Sequence, residues 1–186
     1  YQNKHSRLLE RALLNATAST HRFDDGGRPR YSVYWAFRQM LQGLPSDQEK
    51  RVERWHEGVP DSAFAAAAQA RVAYDRAWRI RGSGYAGTVS RESWELYHSE
   101  LQRGIKHLRA APQSARDHPV WHHMLLAITL DTPERANAEK IFVEATNRWP
   151  DHYDVYHELV GRITPRWGGT WRAVDAFISA SAEKLA

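Results

Sequence analysis

Tyr31-Ser32-Val33-Tyr34-Trp35-Ala36-Phe37-Arg38-Gln39-Met40-Leu41 is the stretch of this chain that reads two ways. Tyr31, Val33, Trp35 and Phe37 alternate as a strand would, while Val33, Ala36, Phe37, Met40 and Leu41 recur with the spacing of one helix face. An isolated strand leaves its backbone N–H and C=O groups unpaired, and no second strand-like segment exists to meet them. The spacing therefore predicts a helix over 31–41, and with it an all-α protein without a sheet.

The flanking sequence agrees. Upstream, Leu8, Leu9, Ala12, Leu13 and Ala16 form one apolar stripe, followed by a glycine-rich turn at Asp24 to Gly27. Downstream, Ser46 with Glu49 reads as a capping box opening a helix towards Trp55. Pro60-Asp61 then introduces an alanine-rich helix from Ser62 to about Arg81, carrying Phe64, Val72 and Trp78. Helices are also predicted over about 90–111 (Tyr97, Leu101, Ile105, Leu108) and 119–130. Thr132-Pro133 reads as an N-cap with proline at the first helical position, opening a helix that ends near Trp149-Pro150. Asp151 with Asp154 opens the next, bearing Val155, Tyr156, Leu159, Val160 and Ile163. After Pro165 to Gly169 the last carries Val174, Phe177, Ile178, Ser181 and Leu185. About eight helices result.

Three of these helices share a spacing. Gly104, Leu108 and Ala111 place a small, a bulky and a small residue on one face; Ala138, Phe142 and Ala145 repeat the pattern 34 residues later. Ala173, Phe177 and Ala180 repeat it after a further 35. A period of 34 is that of the tetratricopeptide repeat, in which helical hairpins stack into a right-handed α-solenoid. Pro150 stands where such a repeat stops its second helix. The expectation is a single helical domain over 1–186, with a TPR-like core at 46–186 and an N-terminal helical extension at 1–45. Phe142 and Phe177 should then be equivalent core positions.

Composition narrows the function. With 42% hydrophobic and 26% charged residues, the chain is neither a disordered tail nor a collagen-like fibre. Its longest largely apolar stretch, around Met124 to Leu130, is seven residues with Thr129 among them, far short of the roughly 20 that a membrane-spanning helix needs. The absence of cysteine excludes disulfides, thiolate nucleophiles and cysteine-based metal sites. The net charge of +4 is uneven: residues 1–93 hold 15 Lys and Arg against 10 Asp and Glu, residues 94–186 hold 11 against 12. No run of five like charges occurs, so the excess makes a basic face rather than a basic arm, and no nucleic-acid partner is expected.

Several motifs suggest chemistry and are better explained as structure. Gly82-Ser83-Gly84-Tyr85-Ala86-Gly87 matches the glycine pattern of nucleotide-binding loops. Those loops leave a strand, whereas this one leaves a helix C-terminus, whose carbonyls repel phosphate. His118, His122, His123, His152 and His157 cluster in sequence, but without a His-Glu-x-x-His pattern no metal or other cofactor is expected. His118, directly before Pro119, reads as a helix cap. No serine sits in a recognisable nucleophile setting, so no catalytic residue is assigned and the balance is against an enzyme.

Arg81-Gly82-Ser83-Gly84-Tyr85-Ala86, Met124-Leu125-Leu126, Phe142-x-x-Ala145, Trp149-Pro150, Tyr153-x-x-Tyr156 and Pro165-Arg166-Trp167-Gly168-Gly169 together carry a likeness. Over roughly residues 50 to 180 the chain resembles a bacterial family known as domain of unknown function 4034. The resemblance implies a TPR-like helical fold; the compartment stays open between bacterial cytoplasm and, where a leader has been trimmed, periplasm. It implies no reaction and no catalytic residues.

The leading functional expectation is a helical-repeat module that binds another protein or peptide on a groove formed by His122, His123, Tyr153, His157 and Arg162. An alternative is an enzyme, or a sugar- or small-anion-binding protein, using a pocket of Arg81, Ser83, Tyr85, Arg166 and Trp167. A further alternative is an immunity or regulatory partner in a bacterial toxin or secretion system.

Overall fold

The computed structural model describes residues 2–24, 28–41, 45–134 and 136–185. Every regular element among them is helical, and no strand occurs among them. The first helices are α1 (Gln2–Ala18), α2 (Pro29–Met40), α3 (Pro45–Gly58), α4 (Ala63–Arg81) and α5 (Arg91–Ala110). They are followed by α6 (Gln113–Arg116), α7 (Pro119–Thr129), α8 (Ala136–Arg148), α9 (Tyr153–Arg162) and α10 (Trp171–Leu185), with 3₁₀ turns at Ala86–Thr88 and Pro165–Trp167. The two-way segment is helical, as its 3.6-residue spacing requires. Most of the Asp24 to Gly27 turn and the Ser46 side chain lie outside the described residues.

The packing divides the chain into two compact units, residues 1–115 and 116–186. In the first, α4 is the central element, packed against α3 and α5. Its alanines Ala65, Ala66, Ala67, Ala68, Ala70, Ala73 and Ala77 are all buried, and their small side chains let α5 approach closely. Ser62 caps α4 by accepting the Ala65 N–H at 2.9 Å. Phe64, fully buried, meets Phe37 of α2 edge-on at 5.6 Å, and Phe37 meets Trp55 of α3 at 6.2 Å.

The stretch read as an N-terminal extension is integral to this unit. Helix α1 packs on α2 and α3, and Glu10 is buried. Its carboxylate accepts hydrogen bonds from the Ser62 hydroxyl and from Trp55 Nε1 at 3.3 Å. Burial nevertheless pushes the Glu10 carboxyl above its usual range, because two neutral donors do not replace bulk water around a charge.

The second unit is built from stacked pairs: α7 packs on both α8 and α9, α8 on α9, and α9 on α10. Its core gathers Leu126, Leu130, Ala138, Ala145, Val155 and Tyr156, with Phe142, Leu159 and Phe177 half-buried against them. Phe142 and Phe177 touch at 5.6 Å, and both contact Tyr156. Phe142 lies between buried Ala138 and Ala145, whereas the small neighbours of Phe177, Ala173 and Ala180, are exposed.

Two helix starts depart from the sequence reading. Helix α8 begins at Ala136, not at Thr132-Pro133. The Thr132 hydroxyl turns back and donates to the Thr129 carbonyl at 2.9 Å, closing the preceding helix instead of opening the next. Helix α9 begins at Tyr153 with His152 as N-cap, so Asp151 falls outside it and Asp154 sits in its first turn.

His118 caps α7 as its place before Pro119 predicts, with Nδ1 accepting the Val120 N–H at 3.3 Å. That bond needs an unprotonated Nδ1, and burial pushes the imidazole down to about 4. A base whose folded pKa lies below its unfolded value stabilises the fold above about pH 6.5 and loses that contribution as pH falls towards 4. We expect the wild-type chain to lose up to roughly 3 kcal/mol through this group over that window. His118→Asn, which keeps a capping side chain without a titrating one, should lose visibly less between pH 7 and pH 4.5 in urea unfolding. Equal losses in both proteins would show that the cap does not depend on a neutral imidazole.

Candidate functional site

Helices α7 and α9 bring together most of the polar residues that the sequence marks for function, but they sort them differently. His122 does not reach a groove: it is buried, on the same stripe of α7 as Leu126 and Leu130. Its ring is held between Trp121 (4.9 Å) and Trp149 (5.0 Å), and its Nε2 lies 3.2 Å from Glu144 Oε1. Four-residue spacing from Leu126 commits it to the core side.

Arg162 is committed too. Its guanidinium bonds Asp131 at 2.7 Å in a pair largely shielded from water, and stacks over the Trp167 ring at 5.0 Å. A pair shielded in this way is expensive to break, so Arg162 is a fixed strut rather than an arm offered to a ligand. Tyr153 and His157, one turn apart on α9, are exposed as expected.

His123 is half-buried and faces a different set. Its ring meets that of His152 edge-on at 5.9 Å, and its Nε2 lies 3.6 Å from Glu158 Oε2. Glu158 also approaches Arg162 at 4.0 Å. Donor atoms of His123, His152 and Asp154 all lie within 4.8 Å of one another, the place among the described residues where three metal-ligating groups converge. His152 and Asp154 escape sequence reading because the motif is split: two ligands open α9, and the third comes from α7, 29 residues earlier. The trace in the sequence is His152-x-Asp154 at a helix start, where a carboxylate already has a capping explanation.

The residues of the alternative pocket belong to different units. In the first unit, Arg81 is half-buried with its guanidinium 5.2 Å from the Trp78 ring and 5.5 Å from Trp94. Its Nη1 donates to the carbonyls of Gly82 (3.0 Å) and Gly84 (2.9 Å). The loop thus uses its arginine to satisfy its own carbonyls after the α4 terminus, with Gly82 at φ 73° ending the helix. Ser83 is exposed, and Tyr85 stands 89% exposed.

In the second unit, Pro165–Trp167 forms a 3₁₀ turn closed by Gly168 in the left-handed region at φ 85°. Trp167 is 38% exposed and carries Arg162 on its ring, with Arg166 at 5.7 Å. The corner is tight, but Trp167 is not buried in it. Beyond it Trp171 (67% exposed) and Ile178 (54% exposed) stand two turns apart on α10.

No family model matches the chain, and neither a curated protein nor a solved structure matches it at a significant level. No helix among the described residues is long and apolar enough to cross a membrane.

Proposed function

We propose that this protein is a helical-hairpin module that binds another protein or a peptide through residues 153–178. The observation that carries the reading is the concentration of exposed aromatic and arginine side chains there: Tyr153, Arg166, Trp167 and Trp171, none of them in the buried core of the unit. Tyrosine, tryptophan and arginine bury large area at small entropic cost while keeping polar reach, and they dominate the binding energy of interfaces. Leaving them in water is unfavourable unless something covers them. The stacking of α7 on both α8 and α9 is compatible with tandem hairpins of the tetratricopeptide kind, which present such surfaces rigidly. The resemblance to domain of unknown function 4034 points to the same fold and adds no activity. Arg81, held by its own loop, favours this reading over an anion-binding enzyme.

The test is selection of displayed random peptides on the full chain, followed by rebinding to a Tyr153→Ala/Arg166→Ala/Trp171→Ala variant. These three are exposed, and Trp167 is left in place to hold Arg162. The variant should keep its helical spectrum and lose at least about tenfold in affinity for the enriched peptides, about 1.4 kcal/mol or more. Undiminished binding would place the interface elsewhere.

A further inference from the structure

The geometry points to a divalent transition-metal site, of the class filled by Zn²⁺, formed by His123, His152 and Asp154. It goes beyond the partner-binding reading and does not rest on it.

One donor comes from the middle of α7, one from the N-cap of α9 and one from its first turn, and the two helices pack together. Two imidazoles and a carboxylate suit a borderline cation such as Zn²⁺; Mg²⁺ and Ca²⁺ prefer oxygen alone. Metal–ligand bonds of about 2.0–2.1 Å set tetrahedral donors about 3.4 Å apart. The present separations lie within 4.8 Å, and half-buried His123 and Asp154 need move their donors by little more than about 1 Å towards buried His152 to reach that value.

The surroundings are those of a built site. Glu158 lies beside the cluster, its Oε2 3.6 Å from His123 Nε2, close enough to orient that imidazole. Arg162, which approaches Glu158 at 4.0 Å, has its charge answered by Asp131 at 2.7 Å, so it does not oppose a metal unscreened. Asp154 and Glu158, one turn apart on α9, leave the cluster with two carboxylates to balance a divalent ion. His123 and Asp154 are partly open to solvent, which gives the ion an entry path and leaves its fourth position to water.

The experiment titrates the full chain with Zn²⁺ alone by calorimetry in a non-chelating buffer, and with Co²⁺ while following its visible absorption. One ion per chain is expected, with the intense Co²⁺ bands of a four-coordinate site. His123→Gln and Asp154→Asn should each weaken binding about tenfold or more, and Glu158→Gln by a smaller factor. His157→Ala, on exposed α9 surface, should leave binding unchanged. The variants' helical spectra without metal should match the parent; were one to misfold, the other carries the test. Absence of a one-to-one site in the parent, or parental affinity in both ligand variants, would overturn the proposal. So would equal loss in His157→Ala, which would mark adventitious surface histidines.

Discussion

Replacing Phe64 by alanine is expected to cost about 3–5 kcal/mol and to shift the first unfolding transition to much lower urea. The side chain is fully buried at the start of α4, and its ring meets Phe37 of α2, which in turn meets Trp55 of α3. Truncation leaves a cavity where three helices converge, and close-packed interiors relax into such cavities only in part. The effect also tests whether residues 31–41 belong to the core as a helix. A strand or a loosely attached segment there would leave Phe64 facing water, and the variant would then lose less than about 1 kcal/mol.

Replacing Gly169 by alanine is expected to destabilise the second unit by about 3 kcal/mol or more, although only a methyl group is added. A Cβ on Gly169 would lie 1.8 Å from the Ile163 carbonyl oxygen and 2.3 Å from its carbon. These are backbone atoms, so no rotamer change relieves the overlap, and the corner between α9 and α10 must open. That corner is held by hydrogen bonds from the N–H groups of Trp167 (2.9 Å) and Gly169 (3.0 Å) to the Thr164 carbonyl. Gly161 supplies the contrast: it is exposed on α9 with nothing within 4 Å of an added Cβ. Gly161→Ala should stabilise by about 0.5–1 kcal/mol, the ordinary gain from removing a helical glycine. Urea midpoints of the two variants should therefore move in opposite directions. Similar midpoints would show that Gly169 is not in close contact with Ile163.

The helical fold was legible because burial on one face imposes a spacing that needs no knowledge of the partner. Leu101, Ile105 and Leu108 announce α5 through residues only three or four apart. What depended on distant residues was not legible. Thr132 had two backbone groups to choose between, and the preceding turn was the nearer. Arg162 reads as an exposed arm until Asp131, 31 residues earlier, is seen bonded to it. His122 and His123 are indistinguishable as neighbours in sequence, yet one step of 100° around the helix buries the first between tryptophans and turns the second towards His152. Glu10 is the sharpest instance: it lies off the apolar stripe of α1, yet it is buried because Trp55 and Ser62 supply its donors from two other elements.

The same logic explains the candidate site. Exposed Tyr153, Arg166 and Trp171 stand out only once the structure places them outside the core, which their spacing in the sequence does not show. The glycine loop at Arg81–Gly87 looked more like a functional motif and turns out to be occupied with its own backbone, its arginine stacked on Trp78 and Trp94.

Site-specific photocrosslinking in native cells decides whether a partner meets the aromatic and arginine surface of residues 153–178 or the glycine loop. A benzophenone side chain is placed at Trp171 in one protein and at Tyr85 in another, both positions being well exposed. A discrete adduct of constant mass from position 171, and none from position 85, is the predicted result. A discrete adduct from position 85 with position 171 silent would contradict it.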